Sequence, residues 1–167
     1  MRRKLSRRIE NKGGEKMIKI ALGCDHGGFE LKEKIKGFLE ELKIEYKDFG
    51  SFSKEAIDYP EIAIKVCSEV QKGNYKQAIL ICGTGIGMSI VANKMKGIRA
   101  SLCHDVFSAR YTRLHNDANI LTMGGRVIGP GLAREIIKTW LDTSFSEEER
   151  HIRRLSKISQ IEEQILS

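Results

Sequence analysis

The sequence predicts a three-layer, Rossmann-like α/β fold: a doubly wound sheet of five parallel strands, followed by an extra C-terminal helix. Two observations support this prediction. Five short apolar runs, several rich in β-branched residues, have the length and composition of strands buried on both faces. Between them lie segments whose apolar residues recur at helical spacing. Alternation of this kind produces parallel strands joined by right-handed crossovers, with helices covering both faces of the sheet.

The elements follow one another in a regular order. The predicted strands cover residues 17–23, 44–49, 78–81, 98–103 and 118–123. The predicted helices between and after them cover residues 29–42, 62–73, 88–95, 108–114 and 132–141. A last helix, residues 147–165, is highly charged but has apolar side chains along one side, at Ile152, Leu155, Ile158, Ile161 and Ile165. This helix has no strand to cover, so we expect its apolar side to pack on a neighbouring subunit.

The positive charge of the chain is concentrated at its start. The formal net charge is +7, yet residues 1–16 contain seven basic and two acidic side chains, which leaves only +2 for the rest. We interpret residues 1–16 as a basic, disordered extension, or as the product of a start upstream of Met17, and residues 17–167 as a single domain. Short basic segments without aromatic residues are weak evidence of nucleic-acid binding, so that function is disfavoured.

Composition also indicates the compartment. No apolar run approaches the roughly 20 residues that span a bilayer, and the N-terminus lacks a hydrophobic signal region. The four cysteines are scattered and form no C-x-x-C pair, so neither a zinc site nor a redox motif is indicated. We therefore expect free thiols, a cytoplasmic setting, no membrane association and no metal.

The most informative stretch lies between the third strand and the third helix. Gly83, Gly85 and Gly87 follow a buried strand and open a helix, an arrangement that leaves several backbone N–H groups pointing at one spot and attracts anions. Met88 stands where a dinucleotide fingerprint needs glycine or alanine and where a Cys-x5-Arg phosphatase loop needs arginine, and the P-loop ending is missing. An anion-binding loop is favoured over a merely tight turn. Cys82 at its edge is a candidate reactive thiol, with a buried core cysteine as the alternative.

Polar clusters follow four of the five predicted strands. In a parallel sheet, ligands bind beyond the carboxyl ends of the strands, so we expect these clusters to surround one crevice. They are Cys24-Asp25-His26, Cys82-Gly83-Thr84-Gly85, Cys103-His104-Asp105 and Gly124-Gly125-Arg126. We expect Cys67 and Cys103 to be core residues, while Cys24 could be either. A capping role is the alternative for His26 and His115, and a solvated helix face is the first interpretation of Arg150, Arg153 and Arg154.

Eight short motifs, taken together, are more specific than any one of them. They are Gly23-Cys-Asp-His26, Asp58-Tyr-Pro60, Ile81-Cys-Gly-Thr-Gly-Ile-Gly87, Ala92-Asn-Lys94, Gly97-Ile-Arg99, His115-Asn-Asp117, Gly124-Gly-Arg126 and Arg150-His151 with Arg154. In this order they resemble the type B ribose-5-phosphate isomerases, within the broader family that includes galactose-6-phosphate isomerase subunits. The resemblance covers about residues 17–163.

The resemblance implies an aldose–ketose isomerase that needs no metal or organic cofactor. It would interconvert D-ribose 5-phosphate and D-ribulose 5-phosphate through ring opening and a cis-enediolate. Cys82 matches the base that removes the carbon-bound proton, Thr84 a residue that assists near the substrate hydroxyls, and His115 the histidine that opens the furanose ring. The implied substrate contacts are Asp25, His26, Tyr59, Gly83, Gly85, Ile86, Gly87 and Asn116, with Arg126, Arg150 and Arg154 as the phosphate clamp.

The family pattern also implies a homodimer, or a dimer of dimers, with the active site at the subunit interface. Some branches have a carboxylate base at the position of Met88, so this chain resembles the cysteine-using branch. An isomerase of a phosphorylated hexose, such as galactose 6-phosphate or allose 6-phosphate, is the alternative, and residues 51–57 and Val106 could decide between the two. A non-catalytic nucleic-acid-binding module using the basic extension is a remote alternative, and Met88 disfavours a cysteine-dependent hydrolase or phosphatase.

Overall fold

Five parallel strands form one sheet in the computed structural model, which describes residues 19–165. The strand order is β2-β1-β3-β5-β4. The strands are β1 (Lys19–Cys24), β2 (Glu45–Asp48), β3 (Gln77–Cys82), β4 (Ala100–Leu102) and β5 (Ile120–Gly124). From β1 the chain first goes outward to β2 and then returns to the other side of β1 as β3. The topological switch point therefore lies between β1 and β3, where ligand sites form in such sheets.

Six helices accompany the strands among the described residues. They are α1 (Phe29–Glu41), α2 (Tyr59–Gln71), α3 (Ile86–Ala92), α4 (Val106–Asn116), α5 (Pro130–Asp142) and α6 (Glu149–Ile165). Helices α1, α4 and α5 cover one face of the sheet, and α2 and α3 cover the other. The predicted three-layer α/β fold is confirmed.

The three inner strands explain the apolar runs of the sequence. In β1, β3 and β5 nearly every side chain is buried, because helices lie on both faces. Strand β2 differs, since its side chains alternate between exposed and half-buried at the edge of the sheet. On the α1–α4–α5 face the core includes Trp140, which is fully buried. The periodicities of the sequence thus reflect two layers of helices on one central sheet.

Element boundaries differ from the predictions at three positions that matter for the site. Helix α3 starts two residues earlier than predicted, because Gly85 adopts a left-handed conformation (φ 78°) that turns the chain directly into the helix. Helix α4 runs from residue 106 to 116, since Asp105 caps it by accepting the Ser108 amide at 2.6 Å. Strand β4 is shorter than predicted, because the Arg99 amide donates to the Asn119 side chain at 2.8 Å instead of to a strand.

Helix α6 lies against α4 and towards the segment before β4. The Gly97 amide donates to the Glu162 carboxylate at 3.1 Å. Within the described chain, Ile152, Ile158 and Ile161 are between 41% and 55% exposed and Leu155 is half-buried, so its own chain covers the predicted apolar side only in part. No helix in residues 19–165 is long and apolar enough to cross a membrane. The basic extension predicted for residues 1–16 lies outside the described residues.

Candidate active site

Cys82 ends β3, a central strand, at the carboxyl edge of the sheet. Its side chain is 4% exposed, and its Sγ accepts the Gly85 amide at 3.0 Å. The left-handed turn at Gly85 directs this amide back onto the sulfur. Within residues 19–165, no hydrogen bond involves the Gly83 or Gly87 amides. The glycine-rich loop therefore donates one amide to the thiol and keeps others available for a ligand.

The loops after β1, β3 and β5 touch one another backbone to backbone. A Cβ at Gly28 would collide with the Ile81 carbonyl, and one at Gly27 would lie 2.9 Å from the Gly83 nitrogen. A Cβ at Gly125 would lie 2.7 Å from the Gly27 carbonyl oxygen. Real Cβ atoms are not found this close to backbone atoms, so only glycine permits this packing. The floor of the crevice is consequently made of peptide groups from three separate loops.

Hydrogen bonds hold these loops in register. The Asp25 amide donates to the Ile81 carbonyl at 3.1 Å, and the Gly125 amide donates to the Cys82 carbonyl at 2.8 Å. The Asp25 side chain accepts the Gly28 amide at 3.0 Å, which closes its own loop. His104 Nε2 accepts the Gly124 amide at 3.1 Å, so His104 supports the loop after β5.

Side chains from four elements line the rim of the crevice. His26 Nδ1 accepts the Ile57 amide at 3.4 Å, and the Thr84 hydroxyl accepts the Ile86 amide at 3.3 Å. The Tyr59 ring lies against Gly87, and the Arg126 guanidinium lies beside Gly83. The structure thus brings together ten of the predicted site residues, a set called the carboxyl-edge group below. It consists of Asp25, His26, Tyr59, Cys82, Gly83, Thr84, Gly85, Ile86, Gly87 and Arg126.

His115 and Asn116 lie at the opposite edge of the sheet. They end α4, which starts after β4 at the carboxyl edge and runs back for 11 residues, or about 16 Å at the rise of an α-helix. Arg99, directly before β4, donates to the Asn116 carbonyl at 3.0 Å. His115 therefore lies near the amino edge and does not meet Cys82 within one chain.

The His115 ring stacks on the ring of His151 in α6. Their centroids are 4.2 Å apart and their planes differ by 12°. His151 is 2% exposed, and its Nε2 has no hydrogen-bond partner among the described residues. Burial, then the proximity of His115 and Arg150, lowers the pKa of His151. Tyr111 packs its edge against His115 at 4.9 Å, which completes a column of rings around that imidazole.

His151 occurs in the sequence within the motif Arg150-His151, and no role was predicted for it. The signal that could have found it is its spacing, because His151, Leu155 and Ile158 share one face of α6. The same helix contains Arg150, whose Nε donates to Glu148 at 2.8 Å, and Arg154, which forms no ion pair within residues 19–165. We call His115, Asn116, Arg150, His151 and Arg154 the amino-edge group.

The other cysteines are core residues. Cys24, Cys67 and Cys103 are buried, and burial raises the pKa of each thiol to about 12. The prediction for Cys67 and Cys103 is confirmed, and the open question about Cys24 is decided in favour of the core. Cys82 differs from these three because a loop amide donates to its sulfur. Within the described chain, no three His, Cys, Asp or Glu side chains cluster as ligands of a metal would.

Comparison with known proteins identifies the family. A model of the family described as Ribose/Galactose Isomerase matches residues 20–158. The Ribose-5-P isomerase B of Listeria innocua is 55% identical over 129 residues, covering 77% of this chain and 87% of that protein. The D-erythrulose-4-phosphate isomerase of Pectobacterium atrosepticum is 43% identical over 130 residues, covering 77% and 86%. The solved structure of Clostridium thermocellum Ribose-5-Phosphate Isomerase B superposes with a TM-score of 0.86 at 47% identity, covering 89% of this chain and 99% of that one. The chain belongs to the ribose/galactose isomerase family and is a sugar-phosphate isomerase.

Proposed function

We propose that this member of the ribose/galactose isomerase family interconverts D-ribose 5-phosphate and D-ribulose 5-phosphate, with Cys82 as the base. The observation that supports this most directly is the position of Cys82 on a floor of three glycine loops, with unpaired amides beside it. The high identity to a protein named Ribose-5-P isomerase B favours the pentose phosphate.

The chemistry proposed at the carboxyl edge is a proton transfer between two carbons. The Cys82 thiolate removes the proton from C2 of the open-chain aldose, and the electron pair moves to the C1 carbonyl oxygen to form a cis-enediolate. The Gly83 and Gly87 amides donate to the developing oxyanion, as the donors of an oxyanion hole do. The O2 proton then moves to O1, and the thiol returns its proton to C1 as the C2 carbonyl forms, which gives the ketose and regenerates the thiolate. Asp25, His26, Thr84 and Tyr59 contact the sugar around this centre.

The preceding step is opening of the furanose ring. It requires removal of the proton from the anomeric hydroxyl and protonation of the ring oxygen, which one imidazole can do in sequence. We assign this step to His115, with Asn116 holding sugar oxygens. Because His115 lies at the amino edge, it reaches Cys82 only from a second copy of the chain.

The active site is therefore proposed to be shared between two subunits of a homodimer. The carboxyl-edge group of one copy would meet the amino-edge group of the other, and the exposed isoleucines of α6 would be covered in that contact. Arg126 from one edge and Arg150 and Arg154 from the other would bind the phosphate, since forked guanidinium donors suit a phosphate dianion.

A mixing experiment tests both the reaction and the sharing. Ribose 5-phosphate turnover should be high for the wild type and nearly lost for Cys82→Ala and His115→Gln alone. When the two inactive variants are unfolded together and refolded, a shared site restores about a quarter of the wild-type activity, because half of random dimers are mixed and each has one intact site. A site within one chain would restore none.

Substrate choice is tested by comparing kcat/KM. The kcat/KM for ribose 5-phosphate should exceed the values for galactose 6-phosphate and allose 6-phosphate. A higher value for either hexose phosphate would transfer the assignment to that sugar. Erythrose 4-phosphate is a useful third comparison, because its C4 oxygen bears the phosphate and no furanose ring can form. One relative is named D-erythrulose-4-phosphate isomerase, so a four-carbon sugar phosphate occurs among the substrates named in this family.

A further inference from the structure

We propose that Asp117, clamped between Arg99 and Arg113, is a positioning residue that fixes His115 and Asn116 at the end of α4. The inference rests on the proposed function, in which His115 opens the sugar ring. It assigns a role to three charged residues that contact neither Cys82 nor its loop.

The turn after α4 has an unusual backbone. Asp117 has φ 44° and ψ 45°, the left-handed conformation that few residues other than glycine, asparagine and aspartate adopt readily. Its amide closes the helix onto the Arg113 carbonyl at 3.2 Å. His115 precedes this turn by two residues, so the conformation at Asp117 sets where the last turn of α4 stops.

Both carboxylate oxygens of Asp117 are bonded to arginine. Arg99 Nη2 donates to Oδ2 at 2.9 Å, and Arg113 Nη1 donates to Oδ1 at 2.8 Å. The same two guanidinium groups also hold the backbone. Arg99 donates to the carbonyls of Asn116 at 3.0 Å and of Asp117 at 2.8 Å, and Arg113 donates to that of Ala118 at 2.6 Å. Three successive carbonyls are thus bonded to charged donors, which form the stronger class of hydrogen bond.

The two arginines are themselves anchored in different parts of the fold. The Arg99 amide donates to Asn119 Oδ1 at 2.8 Å, which ties it to the starts of β4 and β5. The Arg113 guanidinium lies over the Trp140 ring at 5.6 Å, its Nε donates to the Thr143 carbonyl at 3.3 Å, and its side chain is only 12% exposed. Asp117, Arg99 and Arg113, together called the clamp below, therefore connect the end of α4 to the sheet and to α5.

The consequence for the site is geometric. The last turn of a helix frays unless its carbonyls find partners. Here the Asp117 amide donates to the Arg113 carbonyl and Arg99 donates to the Asn116 carbonyl, while the Ser146 amide donates to that of Leu114. When the clamp loosens, the His115 imidazole loses its stacked position on His151. A catalytic group displaced by about 1 Å can lose about 100-fold in rate.

The experiment compares two sugars in clamp variants. Asp117→Asn and Asp117→Gly both tolerate the left-handed turn, and both remove the charge. With ribose 5-phosphate, which must be opened, we expect kcat/KM to fall about 10- to 100-fold. With erythrose 4-phosphate, which has no ring to open, the loss should be at least about tenfold smaller, since His115 is not needed there. Equal losses of kcat/KM with both sugars, or no loss of kcat/KM with either, would overturn the proposal.

A matched control separates positioning from the general effect of losing an ion pair. Glu69→Gln removes an exposed pair with Lys72 (2.8 Å) and should change neither sugar's kcat/KM. A second readout is independent of turnover. The imidazole NMR signals of His115, assigned with His115→Gln, should shift in Asp117→Asn while those of His26 and His104 stay in place.

The two readouts keep the proposals distinguishable. If the wild type isomerised neither sugar, the proposed function would fail, and the His115 signals would still decide whether Asp117 positions the imidazole. Unchanged His115 signals in Asp117→Asn would overturn the positioning role whatever the activity.

Discussion

The two edges of the sheet are built in different ways. The carboxyl-edge group rests on peptide groups of three loops, packed so closely that Gly27, Gly28 and Gly125 cannot carry a Cβ. The amino-edge group consists of side chains on two helices, held by the stacked imidazoles of His115 and His151. One edge is positioned by the backbone and the other by contacts between side chains.

This difference supports the proposal that a second copy of the chain completes the site, because one chain assembles the carboxyl-edge group but leaves His115 at the opposite edge. The carboxyl edge lies at the switch point between β1 and β3, where the sheet itself converges three loops. The amino edge leaves Arg154 without an ion pair in the described chain, and it leaves Ile152, Ile158 and Ile161 of α6 exposed. Four predictions test the contrast, ordered from the largest expected effect to the smallest.

Loss of the Cys82 thiol should have the largest effect. In Cys82→Ala we expect kcat for ribose 5-phosphate to fall about 10³-fold, the typical contribution of a general base. Steady-state kinetics with matched circular dichroism measures this. Cys67→Ala is the control, because Cys67 is a buried core thiol on α2 and should leave kcat unchanged. A kcat of Cys82→Ala close to the wild-type value would remove Cys82 from the mechanism.

A methyl group at the carboxyl edge should cost stability. Gly28→Ala places a Cβ against the Ile81 carbonyl, so we expect a loss of about 3 kcal/mol in the free energy of unfolding. Gly37→Ala is the matched control in the exposed face of α1, where no atom lies within 4 Å, and it should gain about 0.5–1 kcal/mol from helix propensity. Urea denaturation measures both. Equal stability of the two variants would contradict the backbone-built crevice.

A charge removed from the amino edge should weaken substrate binding without affecting folding. In Arg154→Ala we expect KM for ribose 5-phosphate to rise about tenfold, because a charge-assisted bond to phosphate is lost. Arg153→Ala is the control, because Arg153 is adjacent to Arg154 and exposed but lies on a different side of α6. If both variants raised KM equally, the effect would come from general electrostatic attraction, and Arg154 would lose its assigned role.

The smallest effect concerns acid stability. The lowered pKa of His151 means that the unfolded chain, whose histidine titrates near about 6.5, binds the proton more readily than the folded chain. The contribution of neutral His151 to the free energy of unfolding is therefore complete above about pH 6.5, and it declines as the pH falls below that value. His115, Arg150, Arg154 and Glu148 are the charged or titratable groups around it.

His151→Phe keeps an aromatic ring on His115 and removes the titration. We expect its urea midpoint to fall less between pH 7 and pH 5 than that of the wild type. Because all other titrating groups are common to both proteins, the difference reports on His151. An identical decline in both proteins would show that His151 titrates alike in the folded and unfolded chain.

Much of this protein could be predicted from the order of its residues. Strand runs and helical spacing are local properties, so the three-layer sheet followed from them. The carboxyl-edge group was also predictable, because Asp25, Cys82 and Arg126 each follow a strand, and parallel strands end at the same edge. The family resemblance, confirmed by the comparisons, came from eight motifs in sequence order.

The tertiary structure decided how these residues are arranged. It placed His115 at the far edge from Cys82, because α4 is long enough to carry its last turn across the sheet. It directed the Gly85 amide to the thiol, and it joined Asp117 to Arg99 and Arg113 across 18 and 4 positions of the chain. Periodicity encodes which side of an element is buried. Distances between elements depend on strand order and helix length, which become fixed only when the sheet is assembled.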